Sequence, residues 1–321
     1  MVCAHPRLRK PPKWGPPKRG EVHNKAVSEH QGRRTLRSMG AASAILFPGQ
    51  GSQTPDMRDL VERVRPDLLE MAVQAVGEDP FPRADEGTNY AQPAIFCASL
   101  AGWEALGRPV EAFMAGHSLG ELGALVASGA LDEREGLELV ALRGRLMHQS
   151  GLATGDGEGG MIAVLGAGAS EHAPEIAEAH ELTVANDNSP VQVVISGAKS
   201  RLPDALAQAK EMGLRAMELD VTGAFHSPMM AGAVPEFEAA LAEVTFGAPA
   251  EGTTVVSAVT AQPFTDPRRE LADALTMPVR WREVMLTLHE LGAERFVDVG
   301  PGRVLTGLAK RTLSDVELVN A

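Results

Sequence analysis

The hydrophobic pattern starts at Ala44-Ile45-Leu46-Phe47, a short apolar run closed by Pro48-Gly49-Gln50-Gly51-Ser52-Gln53. This predicts a buried strand that ends in a glycine-flanked loop. Residues 58–76 then follow a helical period, 80–90 form a Pro/Asp/Gly/Asn loop, and 93–106 an apolar helix. Val110-Glu111-Ala112-Phe113-Met114 predicts the next strand, which feeds Gly116-His117-Ser118-Leu119-Gly120 and the helix-forming run Glu121–Ala127. Asp132-Glu133-Arg134-Glu135 has the form of a capping box, with Asp132 as the cap of a helix reaching about Gln149.

Gly155-Asp156-Gly157-Glu158-Gly159-Gly160 reads as a linker, since its two carboxylates would repel a phosphate. Beyond it lie Met161–Leu165, a helix near 170–180, Leu182–Val184, Val191–Ser196, a helix at 200–212 and Ala216–Val221. That β-α-β-β-α-β order predicts a ferredoxin-like unit. Longer elements return afterwards, including Thr253–Ser257 and Arg295–Val299, and Gly300-Pro301-Gly302 turns the chain into a last helix. The predicted fold is α/β: a hydrolase-like large domain with a parallel sheet and a nucleophile elbow, interrupted by a small α+β subdomain. The large domain takes 40–158 and 222–321, the small one 159–221, and a basic segment occupies 1–39.

Charge sharpens that division. The 321 residues are 44% hydrophobic and 22% charged, with a net charge of −12. Residues 1–39 hold ten Lys or Arg against two Glu, so they carry +8 and leave −20 for the remainder. An acidic body argues against a nucleic-acid partner. The basic segment, broken by Pro11-Pro12 and Pro16-Pro17, has no hydrophobic period and is expected to be disordered, with translation starting at Met39. No apolar run approaches the roughly 18 residues that span a membrane. Cys3 and Cys97 make no disulfide framework, and a reducing cytoplasm fits.

G-x-S-x-G between a strand and a helix is the pattern of a nucleophile elbow, which lifts a serine hydroxyl clear of the sheet. Ser118 is therefore the candidate nucleophile. A serine needs an adjacent base, and nine histidines are available. His5, His23 and His30 lie in the basic segment, and His172, His180, His148 and His289 suit polar helix positions. His117 points away from its neighbour Ser118. His226 stands in a small-residue loop after a strand, where a base belongs, but the residues alone leave it one candidate among several. Gln50 reads as a turn residue. On the helix after Asp132, Arg143 shares a face with Leu139, Val140, Leu146 and Met147. A cation on an apolar stripe needs a partner, and the residues alone leave two readings of it, a protein carboxylate or a ligand.

Taken together, Phe47–Gln53, Gly116–Glu121, Gly223-Ala224-Phe225-His226-Ser227 and Val299-Gly300-Pro301-Gly302 resemble the malonyl-CoA:acyl-carrier-protein transacylases and the acyltransferases of polyketide synthesis. Asn186-Asp187-Asn188-Ser189-Pro190 and Pro278-Val279-Arg280-Trp281 fit the same pattern, and the likeness runs from about 44 to 312. The resemblance implies Ser118 as nucleophile and His226 as its base. It makes the N–H groups of Gln50 and Leu119 the oxyanion donors, and Arg143 the grip on a malonyl carboxylate. It also implies that a backbone carbonyl, at Arg280, orients the histidine, which leaves Asp298 a structural role. The implied partners are malonyl-CoA and acyl carrier protein, with no metal or redox cofactor and a monomeric enzyme. Ala258 departs from the Asn of many relatives, so a polar contact near the base is expected to be missing. An esterase would instead need a late acid–histidine pair, and a docking module would not keep these four side chains. An acyltransferase serving a polyketide synthase keeps the chemistry, and Ala224-Phe225-His226 fits its malonyl-selective form.

Overall fold

A computed structural model describes residues 42–110, 112–152 and 158–321; the basic segment, Met39, Glu111 and the first half of the 155–160 linker lie outside the described residues. Ala44, Leu46, Ile45 and Phe47 are all buried in β1 (Ser43–Phe47), as a central parallel strand covered on both faces requires. The expected single helix over 58–76 is two, α1 (Met57–Val64) and α2 (Pro66–Val76). Pro66 opens the second, because a proline inside the first would clash with the preceding turn. The expected loop 80–90 contains a 3₁₀ turn at Phe81–Arg83 and the first residues of α3 (Thr88–Ala105), which starts a full turn before Pro93.

β2 (Phe113–Gly116) leads into α4 (Gly120–Ala127), and α5 (Glu133–Leu152) follows, with Asp132 Oδ1 accepting the N–H groups of Arg134 and Glu135. The next segment forms its own layer: β3 (Gly159–Leu165), α6 (Ala169–Ala179), β4 (Thr183–Ser189), β5 (Gln192–Ala198), α7 (Leu202–Glu211) and β6 (Arg215–Glu218). Its sheet is antiparallel, in the order β4-β5-β3-β6. Ile162, Val164, Val193 and Ile195 face α6 and α7 and form a core of their own.

The chain then passes a 3₁₀ segment at Pro228–Ala233 into α8 (Val234–Glu243), β7 (Thr254–Val256), α9 (Pro267–Asp273), α10 (Trp281–Glu290), β8 (Arg295–Asp298), α11 (Val304–Thr312) and β9 (Glu317–Asn320). These strands join the first two in a five-stranded parallel sheet of order β7-β2-β1-β8-β9. β9 has no counterpart in the hydrophobic pattern. It is a four-residue edge strand with only its middle residues partly buried, so it lacks the apolar run of a central strand. Asp298 caps α11, accepting from the N–H groups of Leu305 and Thr306, and burial pushes its carboxyl up to about 7.

The two sheets are joined through β4. Val279 N–H donates to Ala185 O (2.8 Å), Asp187 N–H donates to Val279 O (2.9 Å), and Arg282 pairs with the Asp187 carboxylate at 2.7 Å.

Candidate active site

The site lies where β1 and β2 end side by side. Open parallel sheets offer a crevice at the carboxyl ends of their strands. At the end of β2 the backbone turns so sharply that Ser118 takes φ +56°, a left-handed conformation that costs a non-glycine residue energy. The two glycines of the motif make this turn possible. A Cβ on Gly116 would lie 1.8 Å from the carbonyl carbon of Gly120, and one on Gly120 would lie 2.0 Å from the carbonyl oxygen of Phe47. Only hydrogen fits at either place, so the spacing G-x-S-x-G reflects backbone packed on backbone. Gly49 is under the same restriction, since its Cβ would approach His117 O to 2.6 Å.

Ser118 Oγ lies 2.9 Å from His226 Nε2. His226 Nδ1 is 2.8 Å from the carbonyl of Ala274, just after α9. Because a carbonyl only accepts, Nδ1 carries the proton and Nε2 presents a lone pair to the serine hydroxyl. The orienting carbonyl is thus Ala274's and not Arg280's. Arg280 is turned to Glu283 and donates to the carbonyl of Thr260 at 2.9 Å. His226 is buried and, like Ser118, has a positive φ, +57°. Burial first, then the charge of Arg143 and His117, pushes the imidazole down to about 3. It is a neutral base at ordinary pH.

Arg143 reaches the same oxygen from the opposite side. Its Nη2 donates to Ser118 Oγ at 3.0 Å and its Nη1 to Gln92 Oε1 at 2.8 Å. Gln92 in turn donates from Nε2 to Thr88 Oγ1 at 2.8 Å. Arg143, Gln92 and Thr88 are all buried. Gly144 lets this happen, because a Cβ there would sit 2.9 Å from Thr88 O and hold α5 off α3. Among the described residues Arg143 forms no ion pair, so the protein-carboxylate alternative falls. Burial lowers its guanidinium to about 10, against the opposing pull of Glu121.

Two neighbours frame the turn at Ser118. His117 Nε2 lies 2.8 Å from Asn188 Oδ1 of β4, with its ring edge-on to Trp281. Glu121, in the first turn of α4, accepts the Ala258 N–H through Oε1 at 2.7 Å, while Oε2 has no hydrogen-bond partner among the described residues. Burial raises that carboxyl to about 8. Ala258 meets Glu121 only through this backbone bond, and its methyl side chain offers His226 no polar contact.

A cavity of about 410 Å³ opens over these groups and is lined by Gln50, Ser118, Leu119, Arg143, Phe225 and His226, among others. All five side chains or amides singled out from the sequence therefore converge on one space. Gln92, Thr88, Asn188 and Ala274 were missed. Gln92 was hidden because Pro93 read as a helix start; Gly87-Thr88, four residues upstream, carried the usable signal. Among the described residues no group of three His, Cys, Asp or Glu is placed to hold a metal ion, and no helix is long and apolar enough to cross a membrane.

Chemically, a serine hydroxyl with an oriented neutral imidazole on one side and a guanidinium on the other can attack a carbonyl next to an anionic group. Known proteins are similar to this chain over most of its length. The acyl transferase domain family matches residues 72–320. The malonyl CoA-acyl carrier protein transacylase of Salmonella typhimurium is 36% identical over 288 residues, covering 84% of this chain and 92% of that protein. The polyketide biosynthesis protein ThaF of Burkholderia thailandensis is 38% identical over 288 residues, and there this chain spans 24% of the relative's length. Among solved structures, the malonyl CoA-acyl carrier protein transacylase of Coxiella burnetii superposes with a TM-score of 0.80 at 32% identity, covering 87% of this chain and 93% of that one. On fold, on motif order and on overall identity, the chain belongs to the malonyl CoA-acyl carrier protein transacylases within the acyl transferase family.

Proposed function

We propose that this acyltransferase moves the malonyl group of malonyl-CoA onto the phosphopantetheine thiol of an acyl carrier protein, through a malonyl ester on Ser118. His226 Nε2 takes the hydroxyl proton as Oγ attacks the thioester carbonyl. The N–H groups of Gln50 and Leu119 hold the oxyanion, and His226 returns the proton to the departing coenzyme A sulfur. The carrier thiol then repeats the sequence in reverse. No cofactor takes part. The observation that carries this reading is Arg143: a buried guanidinium, without a carboxylate of its own, within 3.0 Å of the nucleophile. It is a ready-made socket for the free carboxylate that separates malonyl from acetyl.

Two finer points belong to the same reading. The turn at Ser118 is a hydrolase-like nucleophile elbow, and residues 159–221 are a ferredoxin-like subdomain within the larger α/β domain. The enzyme works as a monomer in the cytoplasm. The esterase reading loses support because His226 is oriented by a carbonyl rather than by an acid. Service to a polyketide synthase, in place of fatty-acid synthesis, gains some from the likeness to ThaF and from Ala224-Phe225-His226. Incubation with malonyl-CoA alone should add one malonyl group to the intact mass, and Ser118→Ala should abolish it. Rapid release of free malonate, with no adduct and no transfer to a carrier, would decide for the esterase.

A further inference from the structure

Ser118 Oγ is shared by two groups that compete for influence over it. His226 Nε2 is 2.9 Å away on one side and Arg143 Nη2 is 3.0 Å away on the other. Both partners are buried, at 4% and 3% exposure. When His226 accepts the serine proton, an imidazolium forms one oxygen atom away from a guanidinium that makes no ion pair among the described residues. Two like charges so close, away from water, oppose one another strongly.

The geometry points to an electrostatic gate: the bare guanidinium of Arg143 restrains the Ser118–His226 pair, and the carboxylate of the incoming acyl group releases it by neutralising Arg143. This rests on the malonyl reading above and places part of the selectivity in the acylation step itself. The balance of that step is unchanged. The proton passes from Oγ to Nε2 and on to the coenzyme A sulfur, while the C–O bond forms and the C–S bond breaks. The substrate carboxylate alters only the charge beside it. A neutral acyl group can enter the cavity, yet it meets a weaker base and a serine lone pair still tied to Nη2.

The groups facing His226 support this. Arg143 from α5 and His117 from the end of β2 act on it by charge and the Ala274 carbonyl holds Nδ1, while Asp220 lines the same cavity and Glu121 of α4 acts on Arg143. Burial holds His117 below its ordinary range, so it adds little charge near neutral pH. Glu121, raised to about 8 by burial, is largely protonated there and leaves Arg143 uncompensated. After burial, Arg143 is the largest influence keeping His226 weak.

Sulfonylation of Ser118 by phenylmethanesulfonyl fluoride tests the gate, because the reagent is neutral and carries neither coenzyme nor carboxylate. Its rate would be followed from pH 4 to 9 in the wild type, Gln92→Glu and Arg143→Met. Gln92→Glu sets a carboxylate against Nη1 at the 2.8 Å contact without removing the arginine. Arg143→Met removes the charge and keeps the Gln92–Thr88 pair. Both should raise the plateau rate, by about tenfold if the base strengthens by one to two pKa units, and move the acid midpoint upward. In Gln92→Glu, malonyl transfer should fall while sulfonylation rises, an opposition that misfolding cannot produce. Unchanged or slower sulfonylation, with the wild-type midpoint, in variants that melt like the wild type would overturn the gate. Faster sulfonylation in both variants, with no malonyl adduct on the wild type, would keep the gate and sink the substrate assignment.

Discussion

Arg143→Ala separates recognition from architecture. The guanidinium is 3% exposed and gives two hydrogen bonds, to Gln92 and to Ser118. Of its five N–H donors three remain for a ligand, enough for a forked pair with a carboxylate. Truncating one partner of a buried, hydrogen-bonded charge pair costs about 2–5 kcal/mol, roughly thirty- to a few-thousand-fold in kcat/KM. That loss should appear with malonyl-CoA. Acetyl-CoA has no carboxylate to lose, and removing an uncompensated cation beside His226 should leave its transfer little changed or faster. Arg145, two residues on, supplies the control. It pairs with Glu236 at 2.8 Å while both side chains are about half exposed (49% and 57%), so Arg145→Ala should cost less than about 1 kcal/mol with either substrate. The assay is transfer to carrier protein from each thioester, with melting temperatures for all three proteins. Equal losses for malonyl and acetyl in a folded Arg143→Ala protein would mean that the arginine is structural.

Three further outcomes follow from contacts described above. Gly120→Ala forces a Cβ to within 2.0 Å of a backbone oxygen and should destabilise the fold by more than about 3 kcal/mol, read as a steep fall in melting temperature or in soluble yield. Gln50→Ala should keep kcat within a few-fold if, as proposed, its backbone N–H is the oxyanion donor; a loss of about a hundredfold or more would assign that role to the side chain. Glu121→Gln should stabilise the protein more at pH 8 than at pH 5. The folded carboxyl holds its proton up to about 8 whereas the unfolded chain releases it near 4.5, so wild-type stability falls as pH rises across that window, by at most about 1.4 kcal/mol per pH unit. A melting-temperature gap that stays constant from pH 5 to 8 would contradict the buried, protonated Glu121.

The parts of the site that could be read in the sequence are those whose chemistry needs a particular side chain or the absence of one. Gly116 and Gly120 are forced by backbone contact, so the tight turn at Ser118 appears as spacing. Arg143 stands out because charge on an apolar stripe is costly. Ala274 offered no such mark, since it acts through a carbonyl that every residue has, and the resemblance pointed to Arg280, six residues away. The first turn of α3 was obscured by Pro93, and with it the Gln92–Thr88 support. The break between α1 and α2 was legible in Pro66 but was outweighed by a continuous apolar period. The order of elements in the small sheet came through because its β-α-β-β-α-β rhythm is short and regular; β9 did not, being a polar edge strand.

The seam between the two sheets limits how this fold can be re-engineered. β4 borrows backbone bonds from Val279, an ion pair from Arg282, and lends Asn188 to the histidine next to Ser118. Residues 159–218 are therefore not a cassette that can be lifted from one family member into another. A chimera that exchanges them while keeping the host's 279–282 and His117 would set mismatched partners against the floor of the cavity. It would fold as two sound halves and align the serine poorly. A graft that carries both sides of the seam together is the unit worth transplanting.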